Sequence, residues 1–131
     1  MVAALAALLA QLLCVSAVAA PGKKPKAKSK EVLRHVVAFK FKETATKADI
    51  HRVEEAFRAL KLKIPQIVSL EAGTNNSPEG LNKGCTHAWI LTFNSEQDRN
   101  DYLVHPDHKE FAKLVGPSVA DVFVIDFWAK H

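Results

Sequence analysis

The residues best suited to acid–base chemistry are concentrated in Tyr102–His108, which contains a phenol, two imidazoles and a carboxylate. Imidazole titrates near neutral pH and can act as a general base. A tyrosine hydroxyl can donate a hydrogen bond to a developing oxyanion. Pro106 fixes the backbone in the middle of this segment. We therefore predict that His108 and Tyr102 are the catalytic residues of a site between two helices.

Two further histidines begin predicted strands whose residues alternate between two faces. We predict that His35 and His87 face the same pocket as Tyr102 and His108. The predicted ligand-binding residues lie on the same strand faces or on the following helix: His35, Val37, Phe39, His87, Trp89 and Phe111.

Three other interpretations of these residues stay open. A histidine before a proline can cap a helix, and inward strand histidines can hydrogen-bond across a sheet, so the roles could be structural. The pocket could also bind a ligand without transforming it. A zinc site is suggested by the spacing of His105 and His108, but Pro106 should make these side chains diverge. We predict no metal and no organic cofactor.

The first half of the domain reads as strand, helix, strand and strand. Leu33–Lys42 alternates as a strand that is buried on one face. Thr46 is a predicted N-cap of an amphipathic helix that ends before Pro65. Predicted strands at Gln66–Ala72 and Thr86–Phe93 are separated by a long loop.

The second half reads as two helices and a strand. Ser95 is a predicted N-cap, Pro106 suits the first turn of a further helix, and Gly116 suits the C′ position after it. The last strand is predicted at Val119–Trp128. The order β-α-β-β-α-β predicts an α+β, ferredoxin-like domain with an antiparallel sheet and helices on one face.

Apolar residues on both faces of the last strand predict a homodimer. Val122 and Val124 alternate with Phe123, Ile125 and Phe127. One layer of helices covers only one face of a sheet, so a second copy should cover the other. The sequence thus predicts a dimeric α/β barrel.

The charge distribution argues against nucleic-acid binding. The 131 residues allow one domain, with a formal net charge of +4. Five of the 18 Lys and Arg residues lie in 21–30, which leaves 13 against 14 acidic residues in the rest of the chain. The predicted domain is therefore near neutral and has no basic face for nucleic acid.

The N-terminal segment predicts export. Residues 1–20 are apolar and uncharged, and they end in a small-x-small pattern, Ala17-Val18-Ala19, typical of signal-peptide cleavage. Residues 21–31 form a Lys/Pro-rich linker, and residues 32–131 form the domain. We predict a secreted or periplasmic protein with no stable membrane insertion after cleavage. The alternative is an uncleaved membrane anchor, because about 20 apolar residues can span a bilayer.

Three segments together resemble the stress-responsive dimeric α/β-barrel (Dabb) family: Arg34–Lys42, Gly84–His87 and Tyr102–His108. The resemblance covers roughly residues 33 to 128. It implies a homodimer and relates the chain to a plant polyketide cyclase that works without cofactor. In that relative, the counterparts of His35, His87, Tyr102 and His108 are the functional residues.

The resemblance also sets expectations about the ligand. Phe39 and Trp89 replace smaller residues of the cyclase pocket, so we expect a smaller cavity and no long polyketide. The predicted function is that of an exported α/β-barrel protein of unassigned activity, with a pocket for a small apolar or aromatic carbonyl compound. Two alternatives are a cofactor-free, aldol-type lyase or cyclase and an enzyme like the quinone monooxygenases, the latter with a pocket formed by Trp89, Phe39 and His87.

Overall fold

A computed structural model describes residues 31–130 as four strands and three helices. In chain order these are β1 (Val32–Phe41), α1 (Lys47–Lys63), β2 (Ser69–Thr74), β3 (His87–Phe93), α2 (Glu96–Val104), α3 (Pro106–Val115) and β4 (Val119–Ala129). The predicted β-α-β-β-α-β order is confirmed, with the second helical region divided in two at His105.

The strands form one antiparallel sheet in the order β2-β3-β1-β4. β1 lies in the middle, with Val37 opposite Trp89 on β3 and Val124 on β4. This confirms the ferredoxin-like α+β fold. Because β4 is an edge strand, β1 is its only hydrogen-bonded neighbour in the described sheet.

Side-chain caps fix where the helices begin. Thr46 and Asp49 form a reciprocal capping box at α1, and Ser95 accepts a hydrogen bond from the Asp98 amide at α2. His105 ends α2 and caps α3, and its Nδ1 accepts from the Asp107 amide at 3.2 Å. Pro106 occupies the first turn of α3, where a missing N–H costs no helical hydrogen bond.

The core lies between the helices and one face of the sheet. Its centre is aromatic: Trp89 on β3 stacks on Phe57 of α1 with ring centroids 4.6 Å apart, and Phe39 of β1 packs 4.8 Å from Trp89. The predicted helix stripe contributes Val53 and Leu60, both buried.

The opposite face of the sheet carries an exposed apolar surface. On β4, Phe123, Ile125 and Phe127 are 54%, 51% and 49% exposed. They lie beside Ala38, Val36 and Arg34 of β1. Large apolar side chains that remain half exposed on a sheet face are typical of an interaction surface.

Two local predictions are corrected. β2 begins at Ser69 rather than Gln66, because the chain turns after α1 and places Ile67 in the core before the strand starts. Gly116 does not adopt the left-handed C′ conformation. It is the C-cap of α3 in right-handed geometry, with φ −47°.

The predicted signal peptide, residues 1–20, and nearly all of the predicted linker, residues 21–31, lie outside the residues that the structure describes. Among residues 31–130, none of the helices is both long enough and apolar enough to cross a membrane.

Candidate functional site

A cavity of about 640 Å³ lies between α2, α3 and the helix-facing side of β1 and β4. It brings together six of the predicted site residues: His35, Val37, Phe39, Tyr102, His108 and Phe111. The inward side chains of β4, including Val122 and Val124, form its other wall. Its size is in the range of small-molecule pockets in proteins.

His108 is held in a defined orientation near the start of α3. Its Nδ1 lies 3.2 Å from the Leu103 carbonyl oxygen, which can only accept, so Nδ1 donates the proton in the neutral ring. Nε2 then carries the lone pair. Burial lowers the pKa of His108 below its ordinary 6.5, and positive charge on His35 or His105 acts in the same direction. At neutral pH the ring is therefore an unprotonated base.

Tyr102 lies against His108, with ring centroids 4.5 Å apart. Its side chain is buried, and burial raises the pKa of the phenol well above 10. The hydroxyl takes part in none of the hydrogen bonds found among residues 31–130. Tyr102 therefore borders the cavity as a neutral O–H group that is available as a donor.

His35 lies on β1, buried, and its Nδ1 is 2.6 Å from Oδ1 of Asp126 on β4. The other oxygen of Asp126 accepts from Arg99 on α2. The His35 ring also packs edge-to-face with Tyr102, with centroids 5.7 Å apart. These contacts link the cavity floor to α2 and β4.

Sequence analysis missed Asp126 and Arg99. A signal for Asp126 was present, since it is the one charged residue on the inward face of a strand where Val122 and Val124 precede it. A carboxylate in such a position needs a buried partner. Nothing in the sequence pattern distinguished Arg99 from the solvated charges of α2.

His87 and Trp89 do not reach this cavity, which corrects the prediction of a single pocket that includes His87. The His87 Nε2 lies 3.4 Å from Glu54 on α1, and its Nδ1 lies 2.8 Å from the Thr86 hydroxyl. The aromatic core separates it from His108. It borders a second hollow, about 600 Å³, next to the loop 75–86. The pocket formed by Trp89, Phe39 and His87 is likewise not found.

The two bulky positions lie differently with respect to the cavity. Phe39 lines it, whereas Trp89 is packed into the core behind it, against Phe39 and Phe57.

The described residues provide no set of side chains that could bind zinc. His105 turns its Nδ1 to the Asp107 amide while His108 turns toward the Leu103 carbonyl. Among residues 31–130, no three His, Cys, Asp or Glu side chains are grouped so that they could hold a metal ion.

Comparison with known proteins gives the family. The sequence model of the stress-responsive A/B barrel domain family matches residues 33–129 of this chain. The chain belongs to this family. The resemblance seen in Arg34–Lys42 and Tyr102–His108 is thus confirmed.

Two curated relatives are similar to this chain over most of their length. The stress-response A/B barrel domain-containing protein HS1 of Arabidopsis thaliana is 30% identical over 99 residues, which cover 76% of this chain and 91% of the relative. Olivetolic acid cyclase of Cannabis sativa is 24% identical over 95 residues, covering 72% of this chain and 94% of the cyclase.

Solved structures support the same assignment of fold. Hydroxynitrile lyase from Passiflora edulis has a TM-score of 0.72 and 26% identity, covering 78% of this chain and 96% of the lyase. A ferredoxin-like protein of unknown function from Thermobifida fusca, described as dimeric, has a TM-score of 0.64 and 24% identity, covering 79% and 95%. The fold of this chain thus occurs in a lyase and in a protein of unknown function, and a cyclase is similar in sequence.

Proposed function

We propose that this Dabb protein is a homodimeric, cofactor-independent enzyme of the lyase or cyclase class that acts on small carbonyl or hydroxyl compounds. The observation that carries the proposal is the pairing of His108 with Tyr102 at the cavity wall. One is an unprotonated base with a fixed tautomer, and the other is a buried neutral O–H donor.

The chemistry follows from the states of these two groups. Nε2 of His108 removes a proton from a substrate hydroxyl or from a carbon beside a carbonyl group. In the cyclase direction, the enolate left by the second removal forms a C–C bond to another carbonyl carbon of the substrate, whose C=O π bond breaks, and that oxygen takes the proton from His108. In the lyase direction, the electron pair left on oxygen forms a C=O bond while the bond from that carbon to its leaving group breaks. The leaving group then takes the proton back from His108. The Tyr102 hydroxyl donates to the oxygen on which charge develops.

The walls of the cavity favour a small, largely apolar substrate. Apart from His35, Tyr102, His108 and the carboxylates of Asp121 and Asp126, the lining is mainly aliphatic or aromatic, and it includes Phe39 and Phe111. A ligand that places its oxygen at the His/Tyr end would lay a ring or short chain along Val122 and Val124 of β4.

The relatives support the lyase or cyclase class. Olivetolic acid cyclase and the hydroxynitrile lyase resemble this chain over most of their length. Both names describe reactions at a carbonyl or hydroxyl centre. The quinone-monooxygenase alternative has less support, because His87 and Trp89 lie outside the cavity.

A homodimer fits the exposed sheet face. The outward side chains Phe123, Ile125 and Phe127 of β4 form an apolar row that needs a cover. Structural neighbours described as dimeric support a second copy as that cover.

The proposal also includes export of the protein. It is supported by the apolar residues 1–20 and by the Ala17–Ala19 pattern.

The proposal is tested by screening phenols, quinones, cyanohydrins, aldehydes and short β-keto acids for turnover by the whole protein. The wild type should convert at least one compound, and Tyr102→Phe should reduce kcat by about a hundredfold, the scale of one lost oxyanion donor. Leu62→Ala is a matched control, since Leu62 is 91% exposed and lies outside the cavity. Equal rates in wild type and Tyr102→Phe would contradict the assigned role.

A further inference from the structure

Three side chains from three different elements form a continuous polar chain behind the cavity. Arg99 of α2 donates to one oxygen of Asp126 on β4, and the other oxygen of Asp126 lies 2.6 Å from Nδ1 of His35 on β1. His35 and Asp126 line the cavity, whereas Arg99 does not. Arg99 therefore stands one contact behind the residues that a ligand could touch.

The chain is shielded from water. The side chain of His35 is 6% exposed, and those of Asp126 and Arg99 are 22% and 21% exposed. An ionised carboxylate in such a position is costly unless charge and hydrogen bonds compensate it. A guanidinium group is always protonated and planar, so it supplies both at a fixed angle. Arg99 thus restricts the rotation of the Asp126 carboxylate.

A fixed carboxylate determines the tautomer of the histidine beyond it. An ionised carboxylate only accepts, so Nδ1 of neutral His35 must carry the proton and Nε2 must carry the lone pair. The same logic operates where carboxylates orient histidines in metal sites and catalytic triads. The His35 ring also packs against Tyr102, so its orientation defines one side of the His/Tyr end of the cavity.

Arg99 has further hydrogen bonds besides the one to Asp126. Its backbone N–H bonds to the Ser95 carbonyl in the first turn of α2. Its Nε donates to the Asn100 side chain at 2.9 Å. By contrast, Arg58 on α1 pairs, among residues 31–130, with Glu55 alone, at 3.2 Å and with both side chains more than half exposed.

We propose that Arg99 is a positioning residue for the site: by holding Asp126, it fixes His35 in the Nδ1–H tautomer and leaves Nε2 of His35 free to accept from a ligand. The effect on turnover rests on the proposed function, whereas the effect on the His35 ring does not. The electrostatic contribution of Arg99 and its geometric contribution can be separated, because lysine keeps the charge without the planar fork.

The test is nitrogen NMR of the imidazole rings in the full-length protein, with Arg99→Gln, Arg99→Lys and the matched control Arg58→Gln. In wild type and in the control, the neutral His35 ring should show a protonated Nδ1 and an unprotonated Nε2. In Arg99→Gln the two tautomers should mix, and the Nδ1 proton should exchange with water at least tenfold faster. Arg99→Lys should restore most of the wild-type signal.

Each outcome of this experiment either supports or overturns the proposed role of Arg99. An unchanged His35 tautomer and exchange rate in a folded Arg99→Gln variant would overturn the proposal. If Arg99→Gln does not fold, Arg99→Lys carries the test: wild-type His35 signals in this variant support the proposal, and mixed His35 tautomers despite the retained charge overturn it. If the His35 tautomers mix in Arg99→Gln but the wild type converts no compound, the proposed function is refuted and the positioning role of Arg99 is not. Turnover that depends on His108 but is unaffected in Arg99→Gln would refute the positioning role alone.

Discussion

Replacing His108 by glutamine tests the proposed base with little change in shape. Glutamine can still donate an amide N–H to the Leu103 carbonyl, which His108 reaches at 3.2 Å, but it has no group that titrates. The main structural loss is the ring contact with Tyr102 at 4.5 Å, and such contacts contribute about 0.5–1.5 kcal/mol. Unfolding should therefore be easier by about 1 kcal/mol, which lowers Tm by roughly 4–8 °C.

The effect on catalysis should be far larger than the effect on stability. Loss of a general base costs about 10²–10⁴ in rate. Initial rates on any compound that the wild type converts measure this directly, and thermal unfolding measures the stability change in the same preparation. His51→Gln is the matched control, because His51 lies exposed on α1.

The pH dependence gives an independent check. Burial and neighbouring positive charge lower the pKa of His108 from 6.5, so the base is unprotonated above that value and is lost as the pH falls through its folded pKa. Turnover should fall on the acid side, and this limb should vanish in His108→Gln. The unfolded chain takes up the proton more readily than the folded one, so the free energy of unfolding should also decline as the pH drops below 6.5. Rates within threefold of wild type, or an acid limb that persists in the variant, would refute the assignment.

Three other predictions concern assembly, folding and processing. Ile125→Asp should convert the dimer to monomer in sedimentation at micromolar concentration, because the carboxylate would be buried without a partner; a dimer of unchanged affinity would place the interface elsewhere. Thr46→Ala removes the cap oxygen that accepts from the Asp49 amide, and denaturant unfolding should show a loss of about 1 kcal/mol, with Ser77→Ala in the exposed loop as the control. Mass spectrometry of protein from its own host should find an N-terminus near Ala20 or Pro21, and a full-length chain in the membrane fraction would indicate the anchor instead.

The elements of this fold were predictable because local chemistry and periodicity agree at most of them. Thr46, Ser95 and Pro106 mark helix starts that depend on neighbouring backbone groups alone. One of the two errors, the start of β2, lies where tertiary packing overrides local preference. Ile67 is drawn into the core and delays β2, and Gly116 stays right-handed although glycine permits the left-handed form.

The site was only partly predictable, because alternation assigns residues to a face but not to a position along it. His35 and His87 lie on the same helix-facing side of the sheet, as predicted. The stacked rings of Phe57 and Trp89 fill the space behind that face and divide it into two regions. The register of β1 on β3 determines which histidine meets Tyr102, because His35 pairs with Leu91 near the end of β3 from which α2 follows, whereas His87 lies at the other end. Strand pairing has no signature in the alternation of any single strand.

β4 contributes both to the wall of the cavity and to the exposed apolar face of the sheet. Its inward residues Val122 and Val124 wall the cavity and its Asp126 holds His35, while its outward residues form the exposed apolar face. Because the strand has β1 as its only hydrogen-bonded neighbour in the described sheet, any partner that covers the outward face also restrains the inward one. Binding in the cavity and association through the sheet should then stabilise each other by the same free energy, as linkage requires. The alternating apolar pattern of one strand thus joins the two halves of the proposed function, a site on one face and a second copy on the other.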